Sequence, residues 1–159
     1  MKGIYLLLGT NLGDREKNLS AARNLMKEEA IELKAVSSIY ETAAWGIEQQ
    51  PGFLNQVLEV ATDLSPEALL KTLLAIELEM GRVRIQKWGE RLIDIDILYY
   101  QDKVVDTADL KVPHPEIPNR RFTLVPLVEL AAGEVHPVLG KTQQELLAVC
   151  PDGLEVRLV

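Results

Sequence analysis

The feature that most constrains the fold of this chain is the alternating segment Ile93-Asp94-Ile95-Asp96-Ile97. Alternation of apolar and acidic residues has the period of a β-strand, so it predicts that the isoleucines face a core and the carboxylates share the other face. Asp94 and Asp96 would then stand about 6.5 Å apart along the strand. At that spacing both carboxylates can reach the same divalent cations, whereas without cations they would repel each other.

A basic segment precedes this strand. Its positive residues are Arg82, Arg84, Lys87 and Arg91, with Glu90 as the one acid among them. A cationic segment beside a carboxylate pair suits a phosphate chain bridged by Mg²⁺. The alternative interpretation of this segment is a solvated cluster of surface charges. That interpretation does not explain why Trp88 and Gly89 stand within it.

Hydrophobic periodicity and capping residues predict the elements around this strand. Asp14 is expected to cap the first helix, and Ser65 followed by Pro66 to start the second, which Gly81 ends. In chain order the predicted elements are a strand at 4–8, a helix at 15–29, strands at 33–40 and 55–64, a helix at 66–80 and a strand at 93–98. This order predicts an α+β, ferredoxin-like sandwich in which an antiparallel sheet carries helices on one face.

A C-terminal extension follows this unit. The sequence predicts a tight hairpin through Gln101-Asp102, an irregular proline-rich segment, and a helix or strand at 123–132. A helix at 142–149 and a short strand at 154–159 complete the chain. The segment 41–52 has no regular period and is predicted to be a long loop. Its part at about 43–52 and the segment 82–91 are expected to be mobile without ligand and to close over ligands.

Composition narrows the class of protein. The 159 residues fit a single domain, 1–159, and the net charge of −7 argues against a nucleic-acid partner. Cys150 is the only cysteine and there are two histidines, so neither an intrachain disulfide nor a Cys/His zinc site is expected. No stretch approaches the roughly 20 apolar residues of a membrane span. We therefore expect a cytoplasmic protein without a membrane partner.

Two further patterns have structural explanations. Gly140-Lys141-Thr142 suggests a phosphate loop, but Val135 stands where that motif needs glycine, and Thr142 with Glu145 can form a capping box. Glu77 falls on the apolar line of its helix, where an unpaired carboxylate would be costly. Either it meets an arginine or the metal site, or it lies at the edge of the buried face.

Several separate motifs together resemble one family. The segment Lys87-Trp88-Gly89-Glu90-Arg91-Leu92-Ile93-Asp94-Ile95-Asp96-Ile97-Leu98 closely resembles the signature of the 6-hydroxymethyl-7,8-dihydropterin pyrophosphokinases of folate biosynthesis. Further similar segments, in the same order, are Gly9-Thr10-Asn11-Leu12-Gly13-Asp14, Ser37-Ser38-Ile39-Tyr40-Glu41-Thr42, Phe53-Leu54-Asn55, Gly81-Arg82-Val83-Arg84, Val112-Pro113-His114-Pro115 and Asn119-Arg120-Arg121-Phe122. Glu90 departs from the pattern, since the family commonly has proline there.

The resemblance implies an ATP-dependent pyrophosphokinase that transfers pyrophosphate to the hydroxymethyl oxygen of the pterin by Mg²⁺-assisted in-line attack at the ATP β-phosphorus, leaving AMP. The implied catalytic residues are Arg82, Arg91, Asp94 and Asp96, of which Asp94 and Asp96 would hold two Mg²⁺ ions. The implied ATP-binding residues are Arg82, Arg84, Lys87, Trp88, Arg91, Ile97, His114 and Arg120. The implied pterin-binding residues are Thr42, Trp45, Phe53, Asn55, Asp94 and Phe122.

Other classes of function stay open at this stage. Another Mg²⁺-dependent nucleotide transferase could use the same Asp-x-Asp strand. A ferredoxin-like regulatory module could bind a small ligand without chemistry. A monomer is expected, and contact with neighbouring folate-pathway enzymes is an open alternative.

Overall fold

The computed structural model describes residues 1–43, 52–81 and 92–159. The N-terminal unit comprises β1 (Ile4–Thr10), α1 (Arg15–Glu28), β2 (Glu32–Val36), β3 (Tyr40–Thr42), β4 (Phe53–Ala61), α2 (Pro66–Gly81) and β5 (Asp94–Tyr100). The C-terminal extension comprises β6 (Val105–Asp106), β7 (Lys111–Val112), a 3₁₀ turn (Ile117–Asn119), α3 (Arg121–Ala131), α4 (Gln143–Ala148) and β8 (Arg157–Leu158).

The main sheet has the strand order β5-β1-β4-β3-β8, and β2 also pairs with β4. Every pairing in it is antiparallel. Because β1 lies between β4 and β5, the first and last strands of the N-terminal unit are neighbours, and β5 forms one edge of the sheet. This arrangement confirms the predicted ferredoxin-like α+β fold.

Hydrophobic packing covers both faces of the sheet. On the first face, α1 and α2 pack against Ile93, Ile95 and Ile97, which are at most 4% exposed. On the second face, α3 and α4 pack against β1, β4 and β5 through residues that include Leu7 and Tyr99. The prediction of helices on one face therefore holds for the N-terminal unit, and the extension covers the other face.

Local capping signals act as predicted. The Asp14 side chain accepts a hydrogen bond from the Lys17 amide at 3.1 Å, and Ser65 Oγ accepts one from the Ala68 amide at 3.1 Å. Thr142 and Glu145 form a complete capping box at the start of α4. The capping box accounts for Gly140-Lys141-Thr142 without a phosphate ligand.

The predicted strand at 33–40 is wrong, because the chain forms two strands there. The interruption is at Ser37, whose hydroxyl accepts a hydrogen bond from the Val57 amide while its own amide donates to the Val57 carbonyl, both at 2.9 Å. A side chain thus replaces a backbone group in the ladder, and β2 and β3 pair with different parts of β4.

The predicted hairpin through Gln101-Asp102 is also wrong. The turn exists, with Lys103 N–H donating to the Tyr100 carbonyl at 3.1 Å, but β6 pairs with β7 and not with β5. Other groups occupy the outer edge of β5, since the His114 amide donates to the Leu98 carbonyl at 2.9 Å.

None of the helices in the described ranges has the length and apolar character needed to cross a bilayer.

Candidate active site

One row of residues runs across the adjacent strands β4, β1 and β5. The register places Gly9 of β1 opposite Asn55 of β4 on one side and opposite Asp94 of β5 on the other. Two residues back along β1, Leu7 lies opposite Asp96. Because side chains alternate between faces, Asn55, Asp94 and Asp96 all project from the second face of the sheet.

Gly9 keeps the middle of this row free of a side chain. A Cβ built on Gly9 would lie 2.9 Å from the Asn55 side-chain nitrogen, which is closer than real Cβ atoms come to a neighbour. Gly9 is buried, and its backbone lines the cavity between an amide side chain and a carboxylate. A flat ligand can lie against such a floor.

A cavity of about 250 Å³ lies above this row. Aromatic side chains from two different elements line it, Phe53 at the start of β4 and Phe122 in the first turn of α3. Its lining residues are Leu7, Gly9, Thr42, Ala43, Phe53, Asn55, Asp94, Asp96, Arg120, Phe122 and Leu154. Five of the six residues expected to bind a pterin thus lie at one cavity.

Asn55 carries a polar atom that needs a partner. The residue is 4% exposed, and its amide nitrogen donates weakly to the Leu8 carbonyl at 3.4 Å. Its buried side-chain oxygen accepts no hydrogen bond from any residue that the structure describes. Leaving a buried acceptor unsatisfied costs free energy, which a ligand N–H group directed at this oxygen would recover.

His114, Asp96 and Arg120 form an electrostatic cluster beside the cavity. Burial lowers the pKa of His114, the Asp96 carboxylate opposes this change, and the Arg120 guanidinium adds to the lowering. His114 Nδ1 accepts a hydrogen bond from the Glu116 amide at 3.1 Å, so the neutral ring carries its proton on Nε2. His114 is therefore a neutral hydrogen-bond donor at pH 7.

Arg120 is also held by an aromatic ring. Its guanidinium carbon lies 5.7 Å from the centre of the Phe122 ring, within the range of a cation–π contact. Arg120 directly precedes α3, so the start of this helix brings both an aromatic ring and a positive charge to the cavity.

Glu77 supports the strand that carries the two aspartates. It is 5% exposed, and its carboxylate accepts a hydrogen bond from the Ile95 amide at 2.6 Å. Since Ile95 stands between Asp94 and Asp96, this hydrogen bond links α2 to β5 between the two carboxylates. Glu77 is thus buried and bonded, and it does not lie at the edge of the buried face.

Arg15 fastens the strands on the other side of the cavity. Its guanidinium donates to the Gly52 carbonyl at 2.7 Å and forms an ion pair with Glu41. Glu41 directly precedes Thr42, which pairs in register with Phe53. The first turn of α1 therefore holds both strands that bring Thr42 and Phe53 to the cavity.

The chemistry of the carboxylate pair fits Mg²⁺ delivered with a nucleotide. Within the described ranges, no group of three or more His, Cys, Asp or Glu residues could hold a metal ion. Mg²⁺ usually takes only one or two protein carboxylates and completes its shell with phosphate oxygens and water. Asp94 and Asp96 match that requirement, whereas a dedicated protein cage would need more ligands.

Some predicted site residues lie elsewhere. The Ile97 side chain is 4% exposed in the core of the first face, so it does not reach the cavity on the second face. Six predicted residues lie outside the described residues: Trp45, Arg82, Arg84, Lys87, Trp88 and Arg91. The segments predicted to be mobile, 43–52 and 82–91, also lie almost entirely outside the described residues.

Sequence reasoning missed Leu154 and the role of Gly9. Leu154 lines the cavity, although it comes from the last residues of the chain, and no local pattern marks it. The predicted strand at 4–8 ends before Gly9, whereas β1 continues through Gly9 to Thr10. The position of this glycine inside a strand was an available signal, because glycine within a strand often marks a close approach of a ligand or of other backbone.

The fold and the site together define a small α+β enzyme with a ring-sized cavity beside a carboxylate pair. A sequence model of the family 7,8-dihydro-6-hydroxymethylpterin-pyrophosphokinase (HPPK) matches residues 5–132. The 2-amino-4-hydroxy-6-hydroxymethyldihydropteridine pyrophosphokinase of Aquifex aeolicus is 44% identical over 91% of this chain and 90% of its own length. The enzyme of the same name from Bacillus subtilis is 42% identical, over 89% of this chain and 86% of its own length.

Solved structures agree on the fold. Wild-type HPPK-DHPS of Plasmodium falciparum superimposes with a TM-score of 0.71 at 16% identity, covering 91% of this chain and 44% of that longer chain. The chain belongs to the HPPK family. It is an ATP-dependent pyrophosphokinase, a diphosphotransferase of folate biosynthesis.

Proposed function

We propose that residues 1–159 act as one domain that transfers the terminal pyrophosphoryl group of ATP to 6-hydroxymethyl-7,8-dihydropterin. A bond forms between the hydroxymethyl oxygen and the β-phosphorus, in line with the bond that breaks between this phosphorus and the oxygen bridging to the α-phosphate. The broken bond's electron pair leaves on AMP, and the hydroxyl proton passes to solvent. The products are the pterin diphosphate and AMP.

The observation that carries this proposal is the row of Asn55, Gly9 and Asp94 beneath one cavity. Three features lie side by side in this row. They are an amide that can recognise a ring, a cavity floor without a side chain, and a carboxylate that can hold a metal ion. A substrate bound along the row has its ring at Asn55 and its reactive substituent toward Asp94.

Phe53, Phe122 and Asn55 are proposed to bind the pterin ring. A flat heterocycle between two aromatic side chains gains from burial and from offset stacking. The unsatisfied Asn55 oxygen would accept a hydrogen bond from a ring N–H or amino group, and Thr42 would bond the same polar edge. The ring would thereby be fixed in its plane and in its rotation within that plane.

Asp94 and Asp96 are proposed to hold two Mg²⁺ ions together with the phosphates. When bound, the metal would neutralise the charge of the phosphate chain. Arg120 and the Nε2–H of His114 would donate hydrogen bonds to phosphate oxygens, and the lowered pKa of His114 keeps its ring neutral for that purpose. Phosphoryl-type transfer needs alignment and charge stabilisation more than covalent catalysis, which matches this set of groups. Arg82 and Arg91 are assigned catalytic roles on the resemblance alone.

The product of the reaction tests the proposal. Purified protein supplied with ATP, Mg²⁺ and the hydroxymethyl pterin should release AMP in a pterin-dependent reaction, measured by separating the nucleotides by chromatography. Release of ADP, or no dependence on the pterin, would contradict it.

Asp96→Asn should lower kcat by about 100-fold or more, because a metal ligand stabilises the transition state by several kcal/mol. Asp63→Asn changes an exposed carboxylate beyond the far end of β4 and is the matched control.

A further inference from the structure

The C-terminal segment 150–158 forms part of the candidate active site. It runs from α4 past the first turn of α3 to the edge of the main sheet, where β8 pairs with β3. Leu154, in the middle of this segment, is partly buried and lines the cavity together with Phe122 and Thr42. Both Leu154 and Asp152 lie outside residues 5–132, the range that the family model matches.

Asp152 fixes one end of this segment to α3. One of its carboxylate oxygens accepts a hydrogen bond from the Arg121 amide at 3.0 Å, and the other accepts one from the Leu154 amide at 2.9 Å. The N-cap residue of α3, Arg120, makes no side-chain capping hydrogen bond, so Asp152 supplies an acceptor for a free amide of the first turn. A carboxylate at a helix N-terminus is also favoured by the helix dipole.

The other end of the segment is fixed to the sheet. Tyr40 and Glu41 pair with Leu158 and Arg157, and the Val159 amide donates to the Ile39 carbonyl at 3.0 Å. Leu154 is therefore held between two anchors, one next to Phe122 and the other next to Thr42. Because both neighbours are proposed pterin contacts, the position of Leu154 is tied to the geometry of the ring-binding cavity.

We propose that Leu154 is a specificity-determining contact for the pterin ring and that Asp152 is the positioning residue that holds it. Leu154 supplies an apolar wall, and the size of its side chain limits the substituents that the ring can carry on that side. Asp152 bonds both the amide of Leu154 and the helix turn that carries Phe122. This inference rests on the proposed pterin substrate.

Equilibrium binding of 6-hydroxymethylpterin, measured by calorimetry with a non-hydrolysable ATP analogue and Mg²⁺ present, tests the role of Leu154. Leu154→Ala should weaken pterin binding about three- to tenfold, the range expected for removing part of a half-buried apolar side chain. Affinity for the ATP analogue should not change. Leu154→Val is a milder second variant that removes less of the side chain, and Glu155→Ala alters the exposed neighbour as the matched control.

A ring analogue with one added methyl group tests specificity. Its affinity relative to the parent pterin should rise in Leu154→Ala, because the shorter side chain leaves room on that side. Unchanged pterin affinity in both Leu154 variants, or an equal loss of affinity for pterin and ATP analogue, would overturn the inference. If the wild-type protein binds no pterin at all, the proposed function falls with it, and the two failures are thus distinguishable.

Steady-state kinetics test Asp152. Asp152→Ala should raise KM for the pterin several-fold while kcat and KM for ATP stay close to the wild-type values. Asp152→Asn keeps one side-chain oxygen as an acceptor and should recover part of the loss. An equal effect on both substrates, or no recovery by asparagine, would mean that Asp152 acts only on general stability.

Discussion

Gly9→Ala is the sharpest test of how the site is built. The new Cβ would lie 2.9 Å from the Asn55 side-chain nitrogen, whereas an ordinary contact begins near 3.4 Å. Asn55 is buried and bonded to the Leu8 carbonyl, so it cannot turn away without losing that bond. The substitution would therefore displace the amide that is proposed to recognise the ring, and it would place a methyl group on the floor of the cavity.

The two effects of Gly9→Ala set the expected magnitude. Losing a hydrogen bond to the ring costs about 1 kcal/mol, and overpacking a fitted site costs about 1–3 kcal/mol. Together they predict a fall in kcat/KM for the pterin of about 30- to 1000-fold. The free energy of unfolding should fall by at most about 2 kcal/mol, because alanine restricts the unfolded chain and offsets part of the strain.

The assay is the measurement of kcat/KM for each substrate, with thermal unfolding followed by circular dichroism. Gly133→Ala is the matched control, since a Cβ there would meet nothing within 4 Å. A Gly9→Ala protein that is folded and keeps the wild-type kcat/KM for the pterin would refute the reasoning, because the ring could not then lie on the row of Asn55, Gly9 and Asp94.

Two further predictions concern regions outside the site. Lys141→Ala should leave KM for ATP unchanged, because Gly140-Lys141-Thr142 begins a capped helix, while Thr142→Ala should lower the free energy of unfolding by about 1 kcal/mol in denaturant titrations. The pKa of His136 is lowered by burial, and its Nδ1 accepts hydrogen bonds from the Val138 and Leu139 amides, both at 3.1 Å. A histidine whose pKa is lower in the folded than in the unfolded state contributes its full stability above the unfolded pKa of about 6.5. This contribution is lost as the pH falls from there toward the pKa of the folded state. Wild-type protein should thus lose more stability than His136→Gln between pH 7.5 and 5.5, and an equal loss would contradict this assignment.

The parts of the fold that could be predicted are those that local patterns determine. Alternation placed Ile93, Ile95 and Ile97 in the core and the aspartates on the other face, and the caps at Asp14 and Ser65 begin helices as expected. The errors arose where distant groups decide the structure. Ser37 divides a strand because its hydroxyl bonds the Val57 amide, and no property of residues 33–40 alone predicts that contact.

The second helix shows the same limit. The apolar residues of this helix are too many for one narrow stripe and so predict a well-buried helix, yet Leu74 is 47% and Leu78 is 60% exposed. Apolar content shows that a face can be buried, but a neighbouring element must exist to cover it. Likewise Leu154 is held at the cavity in part by the pairing of the last strand with β3, a contact across more than a hundred residues.

The alternation in β5 has a consequence for folding accuracy. A shift of one residue in the pairing of β5 with β1 would turn Asp94 and Asp96 into the core of the first face and move the isoleucines to the second face. Burying an unpaired carboxylate costs several kcal/mol, so misaligned sheets are strongly disfavoured before any substrate is present. The acidic pair proposed to hold Mg²⁺ thus also disfavours incorrect pairing registers of β5 with β1. A chain in which both aspartates were replaced by apolar residues would lose this discrimination together with its chemistry.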